Sequence, residues 1–273
     1  MWCMALRYAR SVLEINPRDP DGNLIAGHAE MSLAHPEEAA RHYAAVLQVN
    51  PQILVANVAM AQLSMARGDM AGAQRYAEAA VRENPKAVAG RLVLAQVALK
   101  QGKSGEAAEQ FRKCLELDPK LSAAHFGLAA AYQTGNQRDK AINAYRKGLE
   151  ISANDPDALN NLAWLLADDG ASHAEALQLA RRALEQRPRD GHILDTLGWV
   201  YFKQGQLVDA EQQFRAAGDA LPQEAVVQYH LGLVALKQGR KTDASSALRR
   251  ALLLKQDFEG AADARTMIRE LGG

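Results

Sequence analysis

Seven prolines divide this chain at nearly constant intervals. Pro17, Pro51, Pro85, Pro119, Pro156, Pro188 and Pro222 are separated by 34, 34, 34, 37, 32 and 34 residues. A fixed period of this length argues against one globular core and for a supersecondary unit repeated along the chain. Proline suits the junction between such units, because it cannot continue a helix and disfavours helical geometry in the residue before it. The other two prolines, Pro20 and Pro36, fall at predicted turns.

Counting each unit so that its proline is position 32, position 20 reads Ala39, Ala73, Ala107, Ala141, Ala176, Ala210 and Ala244, with Ala5 in a partial unit upstream. An invariant methyl marks the closest approach of two helices, where a larger side chain would force the axes apart. The facing position, eight, is also small: Gly27, Ala61, Ala95, Ala129, Ala163, Gly198 and Gly232. Between the two predicted helices, Gly68, Gly102, Gly135, Gly170, Gly205 and Gly239 are expected to supply left-handed backbone. Unit four reads as having one extra residue in this turn, at Gly135-Asn136, and a longer exit from Ser152 to Pro156. Unit five carries an insertion near Ala171-Ser172-His173. Insertions in turns cost little.

Unit six shows the pattern whole in Leu197, Gly198, Tyr201, Gly205, Ala210, Phe214, Ala217 and Pro222. On these residues the chain resembles the tetratricopeptide repeat family over nearly its full length. The resemblance implies an all-α fold, a right-handed superhelical α-solenoid of antiparallel helix pairs. Residues 1–19 are expected to be the second helix of a truncated repeat, 20–256 seven tandem repeats and 257–273 a C-terminal capping helix. At the start, Trp2, Met4, Leu6 and Val12 lack a preceding partner, so a fragment of a longer array is expected. At the end, Phe258, Ala261, Ala264, Ile268 and Leu271 form an apolar stripe with Arg265 and Arg269 outside it, closed by Gly272-Gly273.

In this family the first helix of each unit lines the concave side, which implies that positions 2, 5, 6, 9, 12 and 13 carry function. Units one to three place Leu24, Ile25, His28, Met31, Val58, Gln62, Met65, Leu92, Gln96 and Leu99 there. Units five to seven place Asn160, Asn161, Trp164, Asp168, His192, Asp195, Thr196, Trp199, Phe202, Lys203, Tyr229 and His230 there. The second set is aromatic with a polar rim, the composition of binding hot spots, and is the expected peptide-binding groove. The alternative for Trp164 and Trp199 is packing between neighbouring hairpins. The Lys and Asn clamp by which some members hold chaperone C-termini is absent, as is the asparagine ladder of the O-linked N-acetylglucosamine transferase superhelix.

Catalysis is not expected. There is no phosphate-binding glycine loop and no nucleophile elbow. His192 and Asp195 are three apart on one helix face without a third ligand, which favours a hydrogen-bonding pair over a metal. His28, His35 and His42 are expected to be solvated, and Cys114 at position 27 to be a core thiol. The pairs Arg181-Arg182 and Arg249-Arg250 are expected to face solvent on the convex side. Lys plus Arg equal Asp plus Glu at 32 each, so no global positive field draws the chain to nucleic acid. No metal, cofactor or membrane insertion is implied. The phrases Asn160 to Leu166, Leu194 to Val200 and Tyr229 to Gly232 resemble large bacterial envelope tetratricopeptide lipoproteins of exopolysaccharide and protein-sorting loci. That resemblance implies a scaffold, periplasmic or attached to the outer membrane if its parent is such a lipoprotein and cytoplasmic otherwise. A recruiting arm of a larger enzyme, such as a glycosyltransferase or kinase, is the alternative, and self-association through the exposed N-terminal helix a third reading.

Overall fold

The computed structural model describes residues 1–272, so Gly273 lies outside the described residues. Every regular element among them is helical. The chain divides into two compact units, Met1–Ala144 and the residues from Tyr145 onward.

The first unit contains α1 (Trp2–Ile15), α2 (Pro20–Ser32), α3 (Pro36–Val49), α4 (Leu54–Ala66), α5 (Met70–Glu83), α6 (Val88–Lys100), α7 (Ser104–Leu117), α8 (Ser122–Thr134) and the start of α9 (Arg138–Ile151). The second holds the rest of α9, then α10 (Pro156–Ala167), α11 (His173–Gln186), α12 (Gly191–Lys203), α13 (Leu207–Ala220), α14 (Ala225–Lys237), α15 (Lys241–Leu254) and α16 (Ala261–Glu270). Within each unit, first helices pack against their own second helix and against the next first helix, as α4 does with α5 and α6, and α10 with α11 and α12. First helices are therefore buried on two sides and apolar nearly all round, whereas second helices bury one stripe, such as Ala39, Ala40, Tyr43 and Val46 on α3.

The position-20 alanines of the seven full repeats are all fully buried, while Ala5 is half-buried. Opposite them, a Cβ added to Gly198 would lie 2.6 Å from Phe214 Cδ1, and one added to Gly27 would lie 2.8 Å from Tyr43 Cε1. Small residues at position eight thus make room for the large knob at position 24.

The helix starts correct the register drawn from the prolines. First helices begin at Pro20, Leu54, Val88, Ser122, Pro156, Gly191 and Ala225, a pitch of 34, 34, 34, 34, 35 and 34 residues by subtraction. Unit four has no extra residue in its hairpin turn and no lengthened exit. Ala153 stands where other units have the turn proline, and Pro156 is the first residue of α10, where a missing N–H costs nothing. Gly135 does not adopt left-handed backbone either. Asn136, at φ 54°, takes that place, as Ala34 does in the first hairpin at φ 61°, and asparagine tolerates the conformation better than most residues. The single inserted residue falls in unit five, where Gly170–Ser172 form a 3-10 turn in place of a left-handed glycine.

A device not read from the sequence closes the junctions of the first unit. The fourth side chain of a first helix reaches back six residues to the carbonyl of the turn proline. Asn23 Nδ2 donates to Pro17 O at 3.0 Å, Asn57 Nδ2 to Pro51 O at 2.8 Å, and Arg91 Nε to Pro85 O at 2.8 Å. His125 Nε2 lies 3.0 Å from Pro119 O. In the second unit the same position holds the buried leucines Leu159 and Leu194 on α10 and α12 and the buried Gln228 on α14. There the Ala153 carbonyl is bonded instead by Arg182 Nη2 at 2.6 Å, so this arginine is a junction residue and not merely solvated.

At the start of the chain Leu6 packs against the helix that follows it. It is buried with Ala9 against Ala26 and Ala29 of α2, and Val12 is half-buried, while Trp2, Met4, Tyr8 and Ile15 are exposed.

Candidate functional site

The expected groove residues of the second unit sit on α10, α12 and α14. Two carboxylates fix where the first of these helices start. Asp155 Oδ1 accepts from Ala158 N at 2.8 Å, and Asp190 Oδ1 from His192 N at 3.0 Å. With the starts fixed, position nine of two successive helices brings Trp164 and Trp199 together. Their rings stack with centroids 5.4 Å apart and planes 25° from parallel. Trp199 also stacks on Phe202, one helical turn on, at 5.4 Å, and on His230 of α14 at 4.7 Å. The Lys203 ammonium lies 4.8 Å above the Trp199 ring and 2.7 Å from Asp168 Oδ1. The carboxylate thus holds the cation over the aromatic face.

Beneath this platform lies a buried ion-pairing contact. His230 is 3% exposed, and its Nδ1 lies 2.8 Å from Asp195 Oδ1. A carboxylate can only accept, so Nδ1–H is the donor. Phe214, Tyr229 and Trp164 also border the imidazole, at 5.1, 5.8 and 6.0 Å between centroids.

Not every expected residue joins the cluster. Asp195 is partnered by His230 and not by His192, which is exposed. Tyr229, whose ring lies 5.8 Å from that of His230, packs on its other side with Leu248, Ala264 and Ile268 and is set edge-on to Phe258 at 5.8 Å. Gly260, at φ 95°, brings its backbone against this ring, where a Cβ would lie 2.5 Å from Tyr229 Cε1. Burial pushes the Tyr229 hydroxyl above its usual pKa, with the nearby carboxylates of Asp263 and Glu259 adding to it. Asn161 Nδ2 is held by the Tyr145 hydroxyl at 3.1 Å. Two buried polar atoms of the site have no hydrogen-bond partner among the described residues, the acceptor Asn160 Oδ1 and the donor Trp199 Nε1.

Sequence reasoning missed the Asp195–His230 pair because its members belong to different repeats. The signal was present: positions five and six hold Leu24 and Ile25, Val58 and Ala59, and Leu92 and Val93 in the first three units, but Asp195 and His230 here.

Tetratricopeptide repeat models match residues 58–122, 98–165, 166–229 and 225–258, which together run through 201 of the 273 residues. The chain belongs to the tetratricopeptide repeat family. Over 70 residues it is 41% identical to the TPR repeat-containing protein PA4667 of Pseudomonas aeruginosa, covering 24% of this chain and 12% of that protein. It superposes on the Cut9-Hcn1 structure of the APC/C with a TM-score of 0.77 at 16% identity, over 99% of this chain and 52% of that one. YrrB, described as a TPR protein with an unusual peptide-binding site, matches at 0.53 and 22% identity over 70% of this chain and 97% of YrrB. At these identities the two structures speak for the fold. The chain spans about half the Cut9-Hcn1 chain and a small part of the Pseudomonas relative.

Among the described residues, the corresponding face of this tetratricopeptide protein's first unit has no aromatic stack between hairpins. Leu24, Val58, Met65, Leu92 and Leu99 are half-buried, Met31 is 39% exposed, and Gln62 and Gln96 are open. Of its three histidines expected to be solvated, His35 is exposed and His28 and His42 are half-buried. His42 Nδ1 lies 2.9 Å from Asn23 Oδ1, and burial holds the ring below its usual pKa against the opposing pull of Glu30. His35 Nδ1 lies 2.7 Å from the buried Glu30 carboxylate, and His28 packs edge-on against Tyr43. Cys114 is fully buried, and burial raises its thiol to about 11, too high to be a nucleophile near neutrality. No group of His, Cys, Asp and Glu among the described residues is arranged to hold a metal. No helix among them is long and apolar enough to cross a membrane.

Proposed function

We propose that this tetratricopeptide protein is a non-catalytic scaffold that binds a peptide or protein segment on the α10, α12 and α14 face of its second unit. The observation that carries the reading is the Trp164–Trp199–Phe202 stack with Lys203 poised over it. Both tryptophans are half-buried, so they pack between hairpins while leaving ring surface open. Rigid, partly exposed aromatics desolvate much area at little entropic cost, which is why they dominate hot spots. Asn160 Oδ1 and Trp199 Nε1 supply the acceptor and donor that a ligand backbone would complete after a small side-chain rotation. YrrB, with its peptide-binding site on the same fold, lends support.

Peptide selection from a displayed random library tests this, run against the wild-type chain and a Trp164→Ala, Trp199→Ala variant of matched helical circular dichroism. Peptides enriched on the wild type and lost on the variant support the groove. Equal enrichment on both moves the binding surface elsewhere.

A second reading is favoured by α1, whose exposed Met4, Tyr8 and Ile15 share one side of the helix and form an apolar face suited to a second copy. Light scattering of wild type and a Met4→Glu, Tyr8→Glu variant tests it, since a dimer formed through α1 would become monomeric. The bacterial relative agrees with a bacterial scaffold, and the envelope placement is part of this proposal. A recruiting arm of a larger enzyme is the competing assignment, which a catalytic domain in the same gene would favour.

A further inference from the structure

The last hairpin breaks a rule the others keep. Position 29, on the outer end of each second helix, carries Gln48, Arg82, Glu116, Glu150, Glu185 and Asp219 in the first six units, all exposed. In the seventh it is Leu253, which is 85% exposed. Leu253 lies with Leu252 and Ile268 along an open cleft of about 820 Å³ between α15 and α16, rimmed by Arg249, Arg265 and Arg269.

The rim leaves its guanidinium groups available to an acid. Elsewhere in this unit Arg146, Arg187, Arg215 and Arg240 each hold a carboxylate at 2.6–2.8 Å. Among the described residues the three arginines at the cleft hold none. Arg249 Nε reaches only Ser245 Oγ at 3.4 Å, Arg269 Nη2 reaches Thr266 Oγ1 at 3.1 Å, and Arg265 donates to the Gln256 carbonyl. An apolar floor between two helices suits a third helix lying along it, and three guanidinium groups without carboxylates suit an acidic one. A second copy docking by its own exposed apolar face is disfavoured by charge, because α1 carries Arg7 and Arg10 against the single acid Glu14.

We propose that the α15–α16 cleft is a second docking surface, independent of the aromatic groove, which takes an amphipathic helix with leucines on one face and carboxylates flanking them. The probe is a labelled synthetic peptide of about 14 residues, roughly four helical turns, with leucines at i, i+3, i+4 and i+7 and glutamates beside them. A twin peptide carries lysine for glutamate. Fluorescence anisotropy on the full chain should show saturable binding of the glutamate peptide, about tenfold or more tighter than the lysine twin. Leu253→Glu should abolish it. The Arg265→Glu, Arg269→Glu variant should reverse the preference between the peptides, an outcome that mere unfolding cannot produce. Equal binding of both peptides, binding unchanged by Leu253→Glu, or no binding at all would overturn the proposal. So would a dimer in light scattering that Leu253→Glu dissolves, or capture of anionic vesicles by the same arginines without peptide binding. The Trp164→Ala, Trp199→Ala variant should bind the glutamate peptide as the wild type does, which separates this cleft from the groove.

Discussion

The two units build the same hairpin but fasten successive hairpins differently. In Met1–Ala144, polar side chains at position four lock the turn carbonyls, and the first-helix face is left shallow and apolar. From Tyr145 onward, Leu159 and Leu194 take that position on α10 and α12, and Gln228 takes it on α14. Side chains on the first-helix face itself, Trp164, Trp199, Phe202, Asp195 and His230, join repeat to repeat. The backbone period does not dictate which face does the joining. A unit that fastens itself through its turns keeps its groove free of structural duty, whereas one that fastens itself through groove aromatics ties binding to stability.

The largest effect that would break this comparison is expected at His230. Replacing it by alanine strands the buried Asp195 carboxylate and empties the space under Trp199, a loss of about 3–5 kcal/mol. Urea unfolding would measure it, and hydrogen exchange should place the loss from Tyr145 onward. A change below about 1 kcal/mol, the scale of an exposed ion pair, would mean the pair does not fasten these repeats.

Next is Gly198→Ala in the same unit. Its new methyl meets Phe214 Cδ1 at 2.6 Å, and the overpacking should cost about 1–3 kcal/mol in the same assay.

A smaller loss, about 1 kcal/mol, is expected for Asn57→Ala in the first unit, which frees the Pro51 carbonyl. Cys114 offers a local readout. In a Cys3→Ser background, thiol labelling of buried Cys114 should speed up with Asn57→Ala and stay unchanged with His230→Ala, if each unit is held by its own device.

The smallest effect is the pH dependence of the first unit. Because burial lowers the His42 pKa in the folded chain, the unfolded chain binds more protons near its ordinary value of about 6.5. Stability tied to neutral His42 is therefore fully present above that pH and lost as pH falls through the folded value. His42→Gln should flatten the change, measured as the midpoint of thermal unfolding between neutral and mildly acid pH.

Much of this was legible in the chain. The alanines at position 20 and small residues at position eight identify the hairpin, because close helix packing tolerates nothing larger. Proline was a poorer ruler, since it serves two places, the turn between units and the first residue of a helix, and Pro156 is of the second kind. Trp164 and Trp199 were read correctly as position-nine residues of neighbouring repeats, but their mutual stacking depends on the tilt of α10 against α12, which periodicity does not encode. The Asp195–His230 pair was hidden for a related reason. Pairing rules along one helix suggest partners three or four residues away, and here the partner is 35 residues on.

The turn locks of the first unit also bear on how the chain is made. Asn57 cannot reach the Pro51 carbonyl until the first turn of α4 exists, and nothing later in sequence is needed for that bond. A growing chain emerging from the ribosome can therefore set each junction as soon as a few more residues appear. Hairpins already released would hold their places while the remainder is still being translated.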